Sequence, residues 1–174
     1  MPAMPAVQLM LCGCSTIFIF GVKRMSVFDD FDLILDYAHM WNWAPDWDVA
    51  KNIYEKFPES YSVLTPFAYS YMEEMIRTTT SDYELPLFDR NKQPVKVRVG
   101  MALLTLAIEE NENNPNYVAL LEKAKRHFKY TQISIDENGR NSVMHGRVHP
   151  RFWTKEAFEE LIHDIAELSK HSRF

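Results

Sequence analysis

The sequence predicts an all-α protein, and three observations carry that expectation. Apolar residues recur at helical spacing in successive segments, residues able to cap helices or begin them stand in front of several of those segments, and strand-like alternation is confined to one short stretch near 84–99. At 174 residues, with 47% hydrophobic residues, the chain is long enough for one real core and short for two. No internal repeat, low-complexity tract or Gly/Ser linker divides it. The expected organisation is therefore an apolar N-terminal extension over 1–24, dispensable for function, and a single helical domain over 25–174.

The extension holds an apolar run from Leu9 to Val22 followed at once by Lys23 and Arg24. That run is shorter than the roughly 20 residues needed to cross a bilayer, and its basic residues follow it rather than precede it as a signal peptide requires. Met25-Ser26 reads as a natural start, and no membrane partner is expected. Both cysteines, Cys12 and Cys14, fall in this extension, so the body has no disulfide framework; a reducing, cytoplasmic setting fits best.

From Ser26, the residues Val27, Phe31, Ile34, Ala38 and Trp41 mark one helical face, with Asp29, Asp30 and Asp32 near the start where the helix dipole favours acids. Trp41, Trp43 and Trp47 then form an aromatic turn expected to plug one end of the core. A short helix follows from about Val49 to Phe57, where Pro58 ends it. Thr65-Pro66 reads as an N-cap with proline at the first helical position, opening a helix whose inner face is Leu64, Phe67, Ala68, Tyr71, Met72, Met75 and Ile76. Its other face carries Glu73, Glu74 and Arg77, read as a solvated acidic face or as carboxylates able to orient a neighbouring arginine.

The stretch 84–99, with the polar Asp89-Arg90-Asn91-Lys92 and then Val95, Val97 and Val99 alternating with Lys96 and Arg98, predicts a small hairpin or an extended loop. Gly100 to Ile108 predicts a mostly buried helix. Asn114-Pro115 repeats the cap-plus-proline pattern before a helix with Tyr117, Leu120, Leu121, Ala124 and Phe128 inward and Lys123, Lys125, Arg126 and Lys129 outward. A turn at Asp136-Glu137-Asn138-Gly139 precedes a short helix holding Arg140 and His145, with Gly146 suited to its C-terminal cap. Thr154 caps a last helix with the face Phe158, Leu161, Ile162, Ile165 and Leu168/Ser169.

The formal charge is −5, which does not advertise a nucleic-acid binder, so any RNA contact must come from a local patch. The chain contains no HExxH, no cysteine pair in the body, no DxDxDG loop, no GxGxxG or GxxxxGK[ST] arrangement and no GxSxG elbow. What survives is Arg140-Asn141-Ser142-Val143-Met144-His145-Gly146. A neutral-range imidazole can move a proton at a ribose 2′-OH or at a leaving oxygen, and a guanidinium can hold the phosphate charge that develops between them; no metal or cofactor is needed. On a helix Asn141 and His145 share a face, while Arg140 lies about 140° round from His145, so the pair makes most sense at a surface shared with another body. The same residues also fit a structural role, an arginine pairing at a helix start and a histidine favoured by the dipole at its end.

An arginine, a polar residue, three more positions, then His-Gly, late in a helical sequence and before the last amphipathic helix, resembles the bacterial HEPN family. The specific part of the resemblance runs from Asn138 to Lys170. It implies a bundle of about four main helices that forms a homodimer, with two motif copies at a shared cleft. It also implies metal-independent endoribonuclease activity in toxin, abortive-infection or stress-defence roles, with an antitoxin or regulatory protein as a further partner. Arg140, Asn141 and His145 would be catalytic. Lys125, Arg126, Lys129, Arg147, His149 and Arg151 are the candidates for a patch that tracks an RNA backbone. The competing expectation is a non-catalytic HEPN-like dimer that binds RNA, a nucleotide or a protein.

Overall fold

The computed structural model describes residues 26–86, 88–128, 149–150 and 153–173. The extension over 1–24 and the short helix expected around Arg140 and His145 lie outside these. Among the described residues the structure is a bundle of helices: α1 (Val27–Tyr37), α2 (Ala44–Lys56), α3 (Tyr61–Thr78), α4 (Gly100–Glu110), α5 (Pro115–Phe128) and α6 (Lys155–Ser169). None of them is long and apolar enough to cross a membrane. Helix α6 packs on α1, α3 and α5, α1 lies against α2, and α4 bridges α3 and α5.

Local chemistry explains where the helices begin. Ser26 Oγ accepts the Asp29 N–H and the Asp29 carboxylate accepts the Ser26 N–H, a reciprocal pair that satisfies two donors which the first turn of α1 leaves open. Asn114 Oδ1 accepts the Tyr117 N–H in front of α5, and Thr154 Oγ1 accepts the Ala157 N–H in front of α6. The first turn of α1 is less simple than its acids suggest. Asp30 is buried, and its carboxylate meets His163 Nδ1 of α6 at 3.2 Å. Burial pushes the Asp30 carboxyl up, against the opposing pull of the His163 hydrogen bond and charge.

Helix α3 differs from the expectation that Thr65 caps it and Pro66 begins it. The chain is already turning at Pro58–Ser60 and enters α3 at Tyr61, so Pro66 stands inside the helix. Its missing N–H leaves the Ser62 carbonyl without the usual ladder donor, within two turns of the helix start. Thr65 does not cap; its hydroxyl donates back to the Tyr61 carbonyl at 2.7 Å.

The aromatic turn divides. Trp43 and Trp47 each stand edge-on to Tyr71 with ring centroids 5.1 Å apart, and Trp47 also meets Phe67 at 4.9 Å. Trp41 does not join them; it is 80% exposed. The plug is thus two tryptophans rather than three, because α2 begins at Ala44 and turns only the residues from Trp43 onward toward the core.

Glu73 is not part of a solvated face. It is buried on α3 and accepts the Gly100 N–H at 2.5 Å, so an acid of α3 satisfies the first donor of α4. Gly100 has φ +58°, a left-handed backbone that glycine adopts without strain, while a Cβ there would meet nothing within 4 Å; the glycine serves the backbone and not a tight contact. Glu74 pairs with Arg77 on its own helix at 2.8 Å. Between α3 and α4, the buried Asp82 accepts the Arg98 N–H at 2.6 Å and its guanidinium at 2.7 Å, which pins the connection. Among the described residues one antiparallel bridge, Phe88 to Pro94, closes around the Asp89 turn, and no longer ladder is formed there.

Replacing Ser26 with alanine removes the capping pair of α1, and the expected loss is about 1 kcal/mol of stability, read as a lower urea midpoint with an unchanged slope.

Candidate functional site

The sequence-predicted site residues fall into two groups. Arg140, Asn141, His145, Arg147, Arg151 and Lys129 lie outside the described residues. Lys125, Arg126 and His149 are described, and the first two are engaged in ion pairs. Lys125 pairs with Glu122 on its own helix at 2.6 Å, and His149 is exposed ahead of α6. Arg126 turns across the α5–α6 interface.

That interface holds the densest group of charged side chains among the described residues. Asp164, on the buried face of α6, is only 4% exposed. Its Oδ2 accepts from Arg126 Nη2 at 2.6 Å and Arg126 Nε at 3.1 Å, and stands 2.8 Å from His127 Nε2. Its Oδ1 pairs with Lys123 Nζ at 2.8 Å. Arg126 reaches further, to Glu160 at 3.5 Å. Tyr69 of α3 closes the group from behind, its ring edge-on to the His127 imidazole with centroids 6.0 Å apart.

The electrostatics follow from that geometry. Burial alone would raise the Asp164 carboxyl. The hydrogen bonds from His127 and Lys123 and the charges of His127 and Arg126 outweigh burial and hold it well below the usual carboxylate range. Tyr69, fully enclosed, is pushed the other way: burial raises its phenol, which stays neutral, with Arg126 opposing and Asp164 reinforcing the shift. The carboxylate is therefore a fixed negative centre that orients an imidazole and holds two cations whose outer parts reach solvent. Such a group can position a histidine and present guanidinium and ammonium edges at the surface. No group of three or more His, Cys, Asp or Glu able to hold a metal ion occurs among the described residues.

Neither His127 nor Asp164 was among the sequence-predicted site residues. A signal for both was present. Asp164 stands three residues after Leu161 and directly before Ile165, and His127 directly precedes the inward Phe128, so both interrupt apolar faces. An acid on a buried face demands a cationic partner, and α5 carries the nearest supply.

The fold and this junction define an all-α protein with a carboxylate-centred cluster at the contact of its last two described helices. Comparison with protein families, characterised proteins and solved structures returns no match to the chain.

Asp164→Asn removes the buried charge and leaves Arg126 and Lys123, both partly hydrated, to find water. The expected cost is about 3 kcal/mol, the low end for breaking a buried pair. Because the folded carboxyl titrates below its unfolded value, the contribution is complete above about pH 4. It fades as the pH falls from there toward the lower folded value. Urea midpoints of wild type and variant, widely separated at pH 7, should therefore converge in strong acid.

Proposed function

We propose that the protein is a HEPN-type, metal-independent endoribonuclease that cleaves RNA by attack of the ribose 2′-OH on the adjacent phosphate, in a toxin, abortive-infection or stress-defence setting. The observation that carries the reading is the sequence Arg140-Asn141-Ser142-Val143-Met144-His145-Gly146, placed directly before the last amphipathic helix of an all-α bundle. The order of the described helices supports it. α5 and α6 pack side by side, and the stretch bearing the motif is bounded by Phe128 and Trp153, both buried.

In this reading His145 acts as base toward the 2′-OH or as acid toward the 5′-oxygen, a contribution of roughly 10²- to 10⁴-fold. Arg140 stabilises the negative charge that develops on the non-bridging phosphate oxygens, and Asn141 orients the ring or binds a phosphate oxygen. A second subunit completes the acid–base pair across the dimer cleft. The products carry 2′,3′-cyclic phosphate ends.

The second reading, a non-catalytic dimeric module that binds RNA, a nucleotide or a protein, is favoured by one observation. Lys123, Lys125 and Arg126 are all engaged with Asp164, Glu122 and Glu160, which thins the basic patch expected to track an RNA backbone.

Incubation of the purified protein with mixed RNA in EDTA separates the two. The ribonuclease reading expects cleavage with cyclic phosphate ends, and a loss of at least about 10²-fold in His145→Ala and Arg140→Ala while both variants still fold and dimerise. Intact RNA with the wild-type protein, or cleavage that both variants retain, would favour the binding module.

A further inference from the structure

Helices α1 and α6 run in the same direction. Asp30 near the beginning of α1 meets His163 of α6, and past the ends of both helices Ser172 lies beside the residues that close α1. Two parallel helices therefore terminate side by side, and their partial negative charges add at one place instead of cancelling. A cleft of about 310 Å³ opens there, lined by Asp36, Tyr37, Ala38, His39, Met40 and Ser172.

The lining has a definite chemical bias. Asp36 has no ion pair among the described residues. Neither α1 nor α6 has a basic residue in its last turn to offset its dipole. The bases that follow α6 are occupied elsewhere: Lys170 pairs with Glu167 at 2.9 Å, His171 stacks on Tyr117 at 4.7 Å, and Arg173, whose backbone N–H bonds Thr78 Oγ1, lies with its charge beside Tyr117. His39 Nδ1 accepts the Trp41 N–H at 3.3 Å. Tyr37 and Met40 supply the remaining surface, an aromatic ring 43% exposed and a thioether 69% exposed. A carboxylate, two helix C-termini, an open ring face and a polarisable sulfur suit one kind of guest.

We propose that this cleft binds an organic cation, an ammonium or guanidinium group carried by a small molecule or by a peptide side chain, with the charge against Asp36 and the carbon skeleton against Tyr37 and Met40. The site is separate from the residues of the proposed ribonuclease function and does not depend on that reading. Its size fits a short chain with one charged head and excludes folded partners, which could only insert a side chain. Bound there, the cation caps both helices and ties the tail after α6 to the end of α1.

Titration calorimetry with agmatine, and then with a capped tripeptide containing one arginine, tests the proposal. The exposed Trp41 next to Met40 gives a parallel fluorescence readout. Millimolar or tighter binding is expected for the cationic probes, weakening as salt rises, with none for n-butylurea, a neutral analogue of similar shape. Asp36→Asn should weaken agmatine at least about tenfold without lowering the melting temperature, because Asp36 is exposed. Tyr37→Leu should weaken it by a smaller factor. Tighter binding of agmatine supports a small-molecule ligand, and tighter binding of the tripeptide supports a partner's side chain. Absence of binding for both probes, equal affinity in Asp36→Asn, or equal affinity for n-butylurea would overturn the proposal.

Discussion

Helix α6 is denied water along most of its surface, and the remainder of the bundle is arranged around that constraint. Phe158, Leu161, Ile162, Ile165, Ala166 and Leu168 are all buried, and the polar side chains that this apolar face encloses need partners within the bundle. Four of them find partners on four different helices. Glu159 accepts the Tyr54 hydroxyl of α2, His163 meets Asp30 of α1, Asp164 gathers Lys123, Arg126 and His127 of α5, and Ser169 donates to its own Ile165 carbonyl and to the Met75 sulfur of α3. Apolar burial supplies the adhesion without direction; these contacts fix the rotation and height of each neighbour against α6.

This division explains what could be read from the sequence. Elements whose formation is local were legible: the caps at Asn114 and Thr154 act within four residues, and the apolar faces of α1, α5 and α6 follow directly from period. Thr65-Pro66 misled because the same dipeptide serves a helix start and an early helical turn, and the choice was made upstream by Pro58–Ser60. Glu73 was invisible for another reason. Its role is to accept from Gly100, 27 residues away, and no periodicity in α3 announces a donor in a different helix. The same holds for the site: that Arg126 is committed to Asp164 depends on a partner 38 residues distant, whereas its exposure on a helical wheel is a local property.

The charge economy of the chain bears on function through these long-range pairs. With a formal charge of −5, basic groups are scarce, and α5 commits Lys123 and Arg126 to a carboxylate that burial cannot neutralise. A guanidinium held by Asp164 and Glu160 is poor at attracting a phosphate from a distance, since the pair's field falls off as a near-dipole rather than as a free charge. It is well placed to keep its geometry once a phosphate arrives. Under the ribonuclease reading, the attraction for RNA must come chiefly from residues after α5, the stretch that also carries the motif.

That requirement bears on the motif's own geometry. A five-residue offset sets Arg140 about 140° from His145 on a helix, too far round for both to close on one phosphate from a single regular turn. An arginine side chain can reach back part of that angle, but only along a surface, and then it cannot also wrap the far side of a phosphate group. If two copies of the motif face each other about a two-fold axis, the arginine of one stands opposite the histidine of the other, and the offset becomes an advantage. The angle that prevents one copy from enclosing a phosphate lets two copies approach it from opposite sides. A monomeric protein would have no such arrangement available, so the ribonuclease reading stands or falls with the dimer.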